Sequence, residues 1–202
     1  MKLEASTEAE IGKRLVAYAK NYTARQLVQE ADDALGDPQL GSIAGLLVDA
    51  LLATDAGRIY DIGAGQGTLL ARLARLPAFA SRPEWRYCAI DFEEELDVVH
   101  KVARQLRLTA RTDELTIEQF ASEPPSDARK IIFCRNVLHE LKIGETAELL
   151  HNATRLLGPD DTLLIQDLVR FPEGEQNHHC WTSEALRDVL IEIGFLDPLV
   201  YE

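Results

Sequence analysis

Apolar residues recur at helical spacing over residues 8–34, at Ile11, Leu15, Val16, Ala19, Leu27 and Val28, and the pattern stops at Gly36-Asp37-Pro38. A broadly apolar stretch from Leu40 to Ala53 predicts a second helix, one that packs across a sheet. From there, short apolar runs alternate with amphipathic stretches. The runs predict strands at 58–62, 86–91, about 107–111, 130–134 and 161–168. The stretches predict helices at about 66–76, 93–105, 144–157 and 183–194, the last opened by Ser183 and Glu184 and closed by Gly194. Pro77, Pro83, Pro124, Pro125 and Pro159 fall between these elements, where they break no ladder. Such alternation is the signature of an α/β fold: a mostly parallel central sheet with helices on both faces. Residues 1–56 then form a helical segment that packs on or caps the core, and residues 57–202 form the α/β domain.

The densest information lies in Arg58-Ile-Tyr-Asp-Ile-Gly-Ala-Gly-Gln-Gly-Thr68. An apolar run carries Asp61, glycines follow at 63, 65 and 67 with Ala64 between the first two, and a helical pattern starts at Leu69, Leu70, Leu73 and Leu76. A strand, a tight turn and a helix N-terminus in that order can present backbone N–H groups and a helix dipole to a ligand. Glycine suits a chain that bends sharply and comes close to a ligand. A dinucleotide fingerprint needs G-x-G-x-x-G, and position 68, where its last glycine belongs, is Thr68.

This acid-x-G-x-G-x-G pattern resembles motif I of the class I S-adenosylmethionine-dependent methyltransferases. The resemblance implies a Rossmann-like fold with S-adenosylmethionine as cofactor, Asp61 near its methionine end, and Gly63, Ala64, Gly65 and Gly67 packed against its backbone and ribose. Asp91, at the end of the second strand and 24 residues beyond Gly67, would accept both ribose hydroxyls, because two carboxylate oxygens match a diol. The alternative for Asp91 is a helix cap before Glu93-Glu94-Glu95. Phe92 would flank the adenine. Asp113 stands where the family often carries the acid or amide for the exocyclic amine, with Glu118 as competitor and a solvated loop acid as the plain alternative.

The segment Lys130-Ile-Ile-Phe-Cys-Arg-Asn-Val-Leu-His-Glu-Leu141 resembles motif IV of the small-molecule methyltransferases, which implies that Arg135 and Asn136 line the cofactor pocket. It lacks the Asn-Pro-Pro or Asp-Pro-Pro core of enzymes that methylate nucleic-acid amines. His139-Glu140-Leu141 resembles the His-Asp-Trp segment of plant-type and antibiotic-type O-methyltransferases, in which the histidine is the general base. Imidazole suits that task at neutral pH. The resemblance continues through Leu163-Leu-Ile-Gln-Asp167, making Asp167 the partner that orients the base, and through Phe171-Pro-Glu-Gly174. Leu141 replaces the tryptophan. His139 is therefore either the base or a histidine hydrogen-bonded in the cleft without proton transfer.

Composition narrows the partners. The 34 acidic residues outnumber the 21 basic ones, for a net charge of −13, which argues against a nucleic-acid substrate. The arginines at 72, 75, 82 and 86 read as a solvated face. The polar N-terminus is not a signal peptide, the apolar patch 43–53 is too short to span a bilayer, and three cysteines without framework spacing suit the cytoplasm. His178-His179-Cys180-Trp181 lacks metal-ligand spacing and reads as a loop entering a helix, with His179 and Trp181 on the substrate side; no metal is expected. After Phe195 seven residues remain, enough for one strand at about 198–201 where the family sheet usually gains two. The C-terminal strands are thus expected to be curtailed, the open edge being completed by a further segment or domain. The expected activity is methyl transfer to an oxygen, less readily a nitrogen, of a small molecule. The alternatives are a regulatory or scaffolding domain of the same fold, or an RNA or protein methyltransferase.

Overall fold

Strands β1 (Gly57–Ile62), β2 (Trp85–Ile90), β3 (Thr112–Leu115), β4 (Lys130–Arg135) and β5 (Thr162–Gln166) form one parallel sheet in the order β3-β2-β1-β4-β5. The computed structural model describes residues 5–31, 40–167, 180–195 and 198. Eight α-helices are described: α1 (Ala5–Glu30), α2 (Gly41–Leu52), α3 (Thr68–Leu73), α4 (Pro77–Ala80), α5 (Glu93–Gln105), α6 (Ile117–Ala121), α7 (Ile143–Leu156) and α8 (Ser183–Glu192), with 3₁₀ turns at Thr109–Arg111 and Leu138–Glu140.

The central strands β1, β2 and β4 are largely buried because both faces are covered, whereas the edge strand β3, Thr-Asp-Glu-Leu, is only half-buried. On one face Ile59, Tyr87, Ala89, Ile131 and Phe133 meet Leu47 and Leu51 of α2, Leu70 and Leu73 of α3, and Val99 and Val102 of α5. On the other, Tyr60, Ile62, Cys88, Ile90, Ile132 and Cys134 meet Phe120 of α6 and Ala153 and Leu156 of α7. From β1 the chain winds outward through β2 and β3, then returns to build β4 and β5 on the opposite side. The connections after β1 and β4 therefore diverge and leave a crevice beyond their C-terminal ends, where ligands bind in open α/β sheets.

Three expectations are revised. The third strand begins at Thr112, not near 107. Leu108 of that run and Leu106 just before it instead close α5: Arg107 turns left-handed (φ 59°), the Leu108 amide reaches the Ala103 carbonyl at 2.8 Å, and both leucines pack on the core. The helix expected over 66–76 is split into α3 and the short α4, which starts on Pro77. In α1 only the C-terminal half is anchored, through Ala24, Leu27 and Val28, while Ile11, Leu15 and Val16 are exposed. Lys20 fastens this helix to α5 by donating to the Glu94 carbonyl and the Asp97 carboxylate, each at 3.0 Å. The strand expected at 198–201, Phe171–Gly174 and His178-His179 lie outside the described residues. Among the described residues no helix is long and apolar enough to cross a membrane.

Candidate active site

Asp61 occupies the penultimate position of β1, 4% exposed, on the sheet face shared with Tyr87 of the neighbouring strand. The Tyr87 hydroxyl donates to Asp61 Oδ2, and no donor among the described residues reaches Oδ1. Burial pushes the Asp61 carboxyl up to about 7; the Tyr87 bond and nearby Arg135 pull it down, and nearby Asp91 pushes it further up.

The turn that follows is tied to the end of β2. The Gly63 and Ala64 amides donate to the Ile90 carbonyl at 2.9 and 3.3 Å, and the Gly65 amide donates to Asp91 Oδ2 at 2.6 Å. All three glycines have positive φ. Their reasons differ. A Cβ on Gly63 would lie 2.1 Å from Val137 Cγ2, so this glycine lets the β1 and β4 loops touch. A Cβ on Gly65 would meet nothing within 4 Å, so there the backbone borders open space.

Asp91 uses its other oxygen, Oδ1, to accept the Phe92 amide at 2.7 Å. The N-cap of α5 is Phe92, and no side chain caps that helix, so Asp91 does not act as the cap. Glu93, Glu94 and Glu95 instead favour the helix N-terminus through the dipole. Phe92 is 70% exposed beside this carboxylate.

The second half of the site forms where β4 and β5 end. Arg135 pairs with Gln166 in register, and the Asn136 amide donates to the Gln166 carbonyl at 2.8 Å. Asn136 itself is left-handed, φ 54°, a strained conformation that asparagine tolerates better than most residues. This turn aims the next residues back across the crevice. Asp167 Oδ2 accepts the Val137 and Leu138 amides at 3.2 and 2.6 Å, while Oδ1 lies 2.5 Å from His139 Nδ1. The side chains of His139 and Asp167 are 6% and 4% exposed. An ionised carboxylate only accepts, so Nδ1 carries the proton of this bond, and a neutral imidazole then bears its lone pair on Nε2.

Asp61, Gly63, Ala64, Gly65 and Asp91 thus meet at the β1 side of the crevice, with Gly67 opening α3 and Phe92 opening α5. Arg135, Asn136, His139 and Asp167 meet at the β4 side. Asp113 is not among them. Because β3 starts later than expected, Asp113 lies within the strand opposite Cys88, where Arg86 grips its carboxylate at 2.7 and 3.0 Å. Glu118 sits beyond the strand's end, exposed in the first turn of α6. Tyr87 was missed: a tyrosine within a strand has no local mark of a cross-strand partner. Trp181 packs against the core face containing Leu138, its indole N–H buried with no hydrogen-bond partner among the described residues. Among the described residues no group of three or more His, Cys, Asp and Glu could hold a metal ion.

The family described as "Methyltransferase domain" matches residues 60–163. The phenazine O-methyltransferase PhzM of Lysobacter antibioticus is 28% identical over 176 residues, covering 86% of this chain and 48% of the relative; the chain thus spans about half that relative's length. Among solved structures, the [4+2]-cyclase SpnF superposes with a TM-score of 0.57 at 22% identity, over 81% of this chain and 61% of that one. The mitomycin 7-O-methyltransferase MmcR gives a TM-score of 0.47 at 19% identity, over 78% and 52%.

Proposed function

The chain belongs to the methyltransferase domain family, and from that premise we propose that it transfers a methyl group from S-adenosylmethionine to an oxygen, in preference to a nitrogen, of a small molecule. The observation that carries the oxygen assignment is the buried His139–Asp167 pair at the β4 side of the crevice. The phenazine O-methyltransferase relative supports the same class of acceptor.

The residues present fit the cofactor. Open space beside Gly65 leaves room for a ligand against the backbone, Asp61 offers an oxygen with no donor, and Asp91 keeps lone pairs beyond the two taken by amides. In this reading Asp61 takes the amino-acid end, Asp91 the ribose and Phe92 the adenine. Gly63, Ala64, Gly65 and Gly67 shape the turn against them, and Arg135 and Asn136 close the β4 side. When bound, the sulfonium supplies an electrophilic methyl, so the protein has mainly to align the acceptor and remove its proton. Asp167 holds the proton on His139 Nδ1, and Nε2 receives the proton of the acceptor hydroxyl. The net charge of −13 favours a small metabolite over a nucleic acid, and three cysteines without framework spacing favour the cytoplasm.

A second reading, a cofactor-fold protein that does not transfer methyl groups, has one observation in its favour: the fold neighbour of TM-score 0.57 is described as a [4+2]-cyclase. The decisive experiment supplies methyl-labelled S-adenosylmethionine and a metabolite extract to the purified chain. Label entering a small molecule, lost in His139→Ala while S-adenosylhomocysteine still binds, supports the transferase. Binding without label transfer supports the second reading.

A further inference from the structure

Tyr87 is fully buried in the middle of β2, and Asp61 is nearly so on β1. The register sets Ile59 beside Tyr87 and Ala89 beside Asp61, so the ring rises one pleat along the shared face to reach the carboxylate. A buried phenol and a buried carboxylate each need a partner, and mutual satisfaction accounts for Oδ2. It leaves Oδ1 open: this oxygen accepts from no donor among the described residues and is not one of the fully buried unpaired atoms, so it can still take a donor from a ligand.

We propose that Tyr87 is a positioning residue for the amino-acid end of the methyl donor: its hydroxyl holds one oxygen of Asp61 so that the other meets the donor's α-ammonium, and seating that ammonium expels the Asp61 proton to solvent. The proposal rests on the methyl-donor reading above. The ammonium keeps its own proton, and whatever proton Asp61 holds leaves for the buffer. The charged and titratable groups near Asp61 are Tyr87 and Asp91 of the β2 side and Arg135 of β4, with Cys134 of β4 close by on the other face of the sheet. With burial dominant and the carboxyl at about 7, the ligand-free site is near half-protonated at neutral pH. A cation arriving in this water-poor position favours the carboxylate. Removing the Tyr87 hydroxyl removes a bond that favours the same charged form.

The test measures, by calorimetry on the whole chain across pH 5.5 to 8.5, the affinity for S-adenosylhomocysteine and for 5′-methylthioadenosine, which lacks the ammonium. The first ligand is expected to bind about tenfold more tightly at pH 8 than at pH 6, and the second at constant affinity. Tyr87→Phe is expected to shift the midpoint upward and weaken the first ligand about tenfold at pH 7, sparing the second. Incorporation of 3-fluorotyrosine at position 87, a stronger donor of nearly the same shape, is expected to shift the midpoint downward and decides the matter should the Phe variant fail to fold. If both ligands follow one pH profile, or the fluorinated protein keeps the native midpoint, the role of Tyr87 is overturned while the cofactor reading stands. If the native chain binds neither ligand at any pH, the cofactor reading itself falls.

Discussion

His139 and Asp167, 28 residues apart in the chain, meet at 2.5 Å because β4 and β5 run parallel and end side by side. The pairing of Arg135 with Gln166 brings the two exit loops into step. Asp167, one residue past its strand, then reaches the Val137 and Leu138 amides and the imidazole with a single carboxylate. One side chain both shapes the loop and orients the histidine it carries.

His139→Ala should lower methyl transfer by about 10²- to 10⁴-fold, the usual range for losing a general base, without changing S-adenosylhomocysteine affinity. Asp167→Asn should lower both activity and melting temperature, since the amide replaces an acceptor oxygen with a donor facing groups that themselves donate. Equal activity loss with no change in melting temperature would separate the two roles of Asp167 and refute the shared one.

Asp61 gives the ligand-free protein a signed pH dependence. Its folded-state pKa of about 7 lies above the ordinary 3.8, so the folded chain holds the proton more tightly than the unfolded one. The corresponding stability is present in full below about pH 4 and is lost as pH rises through 7, a term of order 4 kcal/mol at most. Denaturant titrations at pH 5 and pH 8 should show Asp61→Asn losing this slope.

At the other end of β4, Lys130 and Asp161 form a buried ion pair at 2.9 Å, and Asp161 also accepts the Gly158 and Lys130 amides. Burial acts to raise the Asp161 carboxyl, but the Gly158 amide and the bonds to Lys130 outweigh it and hold it below the ordinary value. That stability is present above the unfolded pKa and is lost as pH falls through the lowered one. Asp161→Ala would leave the buried Lys130 ammonium without a counter-charge, held only by the Ser126 and Ala128 carbonyls, and should cost about 3 kcal/mol by chemical denaturation, far more than a surface acid.

The two turn glycines should fail differently. Gly63→Ala drives a Cβ into Val137 and should destabilise the fold by about 2 kcal/mol or more. Gly65→Ala meets no neighbour and should cost roughly 1–2 kcal/mol of left-handed strain, yet it should weaken cofactor binding more than Gly63→Ala does relative to stability lost. Paired melting curves and binding isotherms measure both.

Asp113→Asn should leave cofactor affinity unchanged. Its partner Arg86 and its place inside β3 keep it from the crevice. The half-exposed pair predicts a stability cost of no more than about 1 kcal/mol. A selective loss of adenosine affinity would restore Asp113 to the site.

Local patterns made much of this protein legible. The β1 turn could be read because an apolar run, alternating glycines and a helical period each impose their geometry within a few residues. The run near 107–111 misled for the same reason: Leu106 and Leu108 look like strand residues, but they serve the closure of α5, and only the left-handed Arg107 distinguishes the two cases. That error carried Asp113 toward the site. The pairing of His139 with Asp167 was reached through family resemblance, since nothing in their spacing alone predicts contact.

The Asp61–Gly67 turn, four of the five strands, the layered α/β class and the acid just after β2 follow from the order of residues, because burial period and turn chemistry are local. Which strands lie side by side is set by the whole sheet. Only that register carries Tyr87 to Asp61, locks Gly63 against Val137 and lays Asp167 under His139. Each of these contacts joins residues distant in the chain, and it acquires its energy only once water has been excluded from both sides of the sheet.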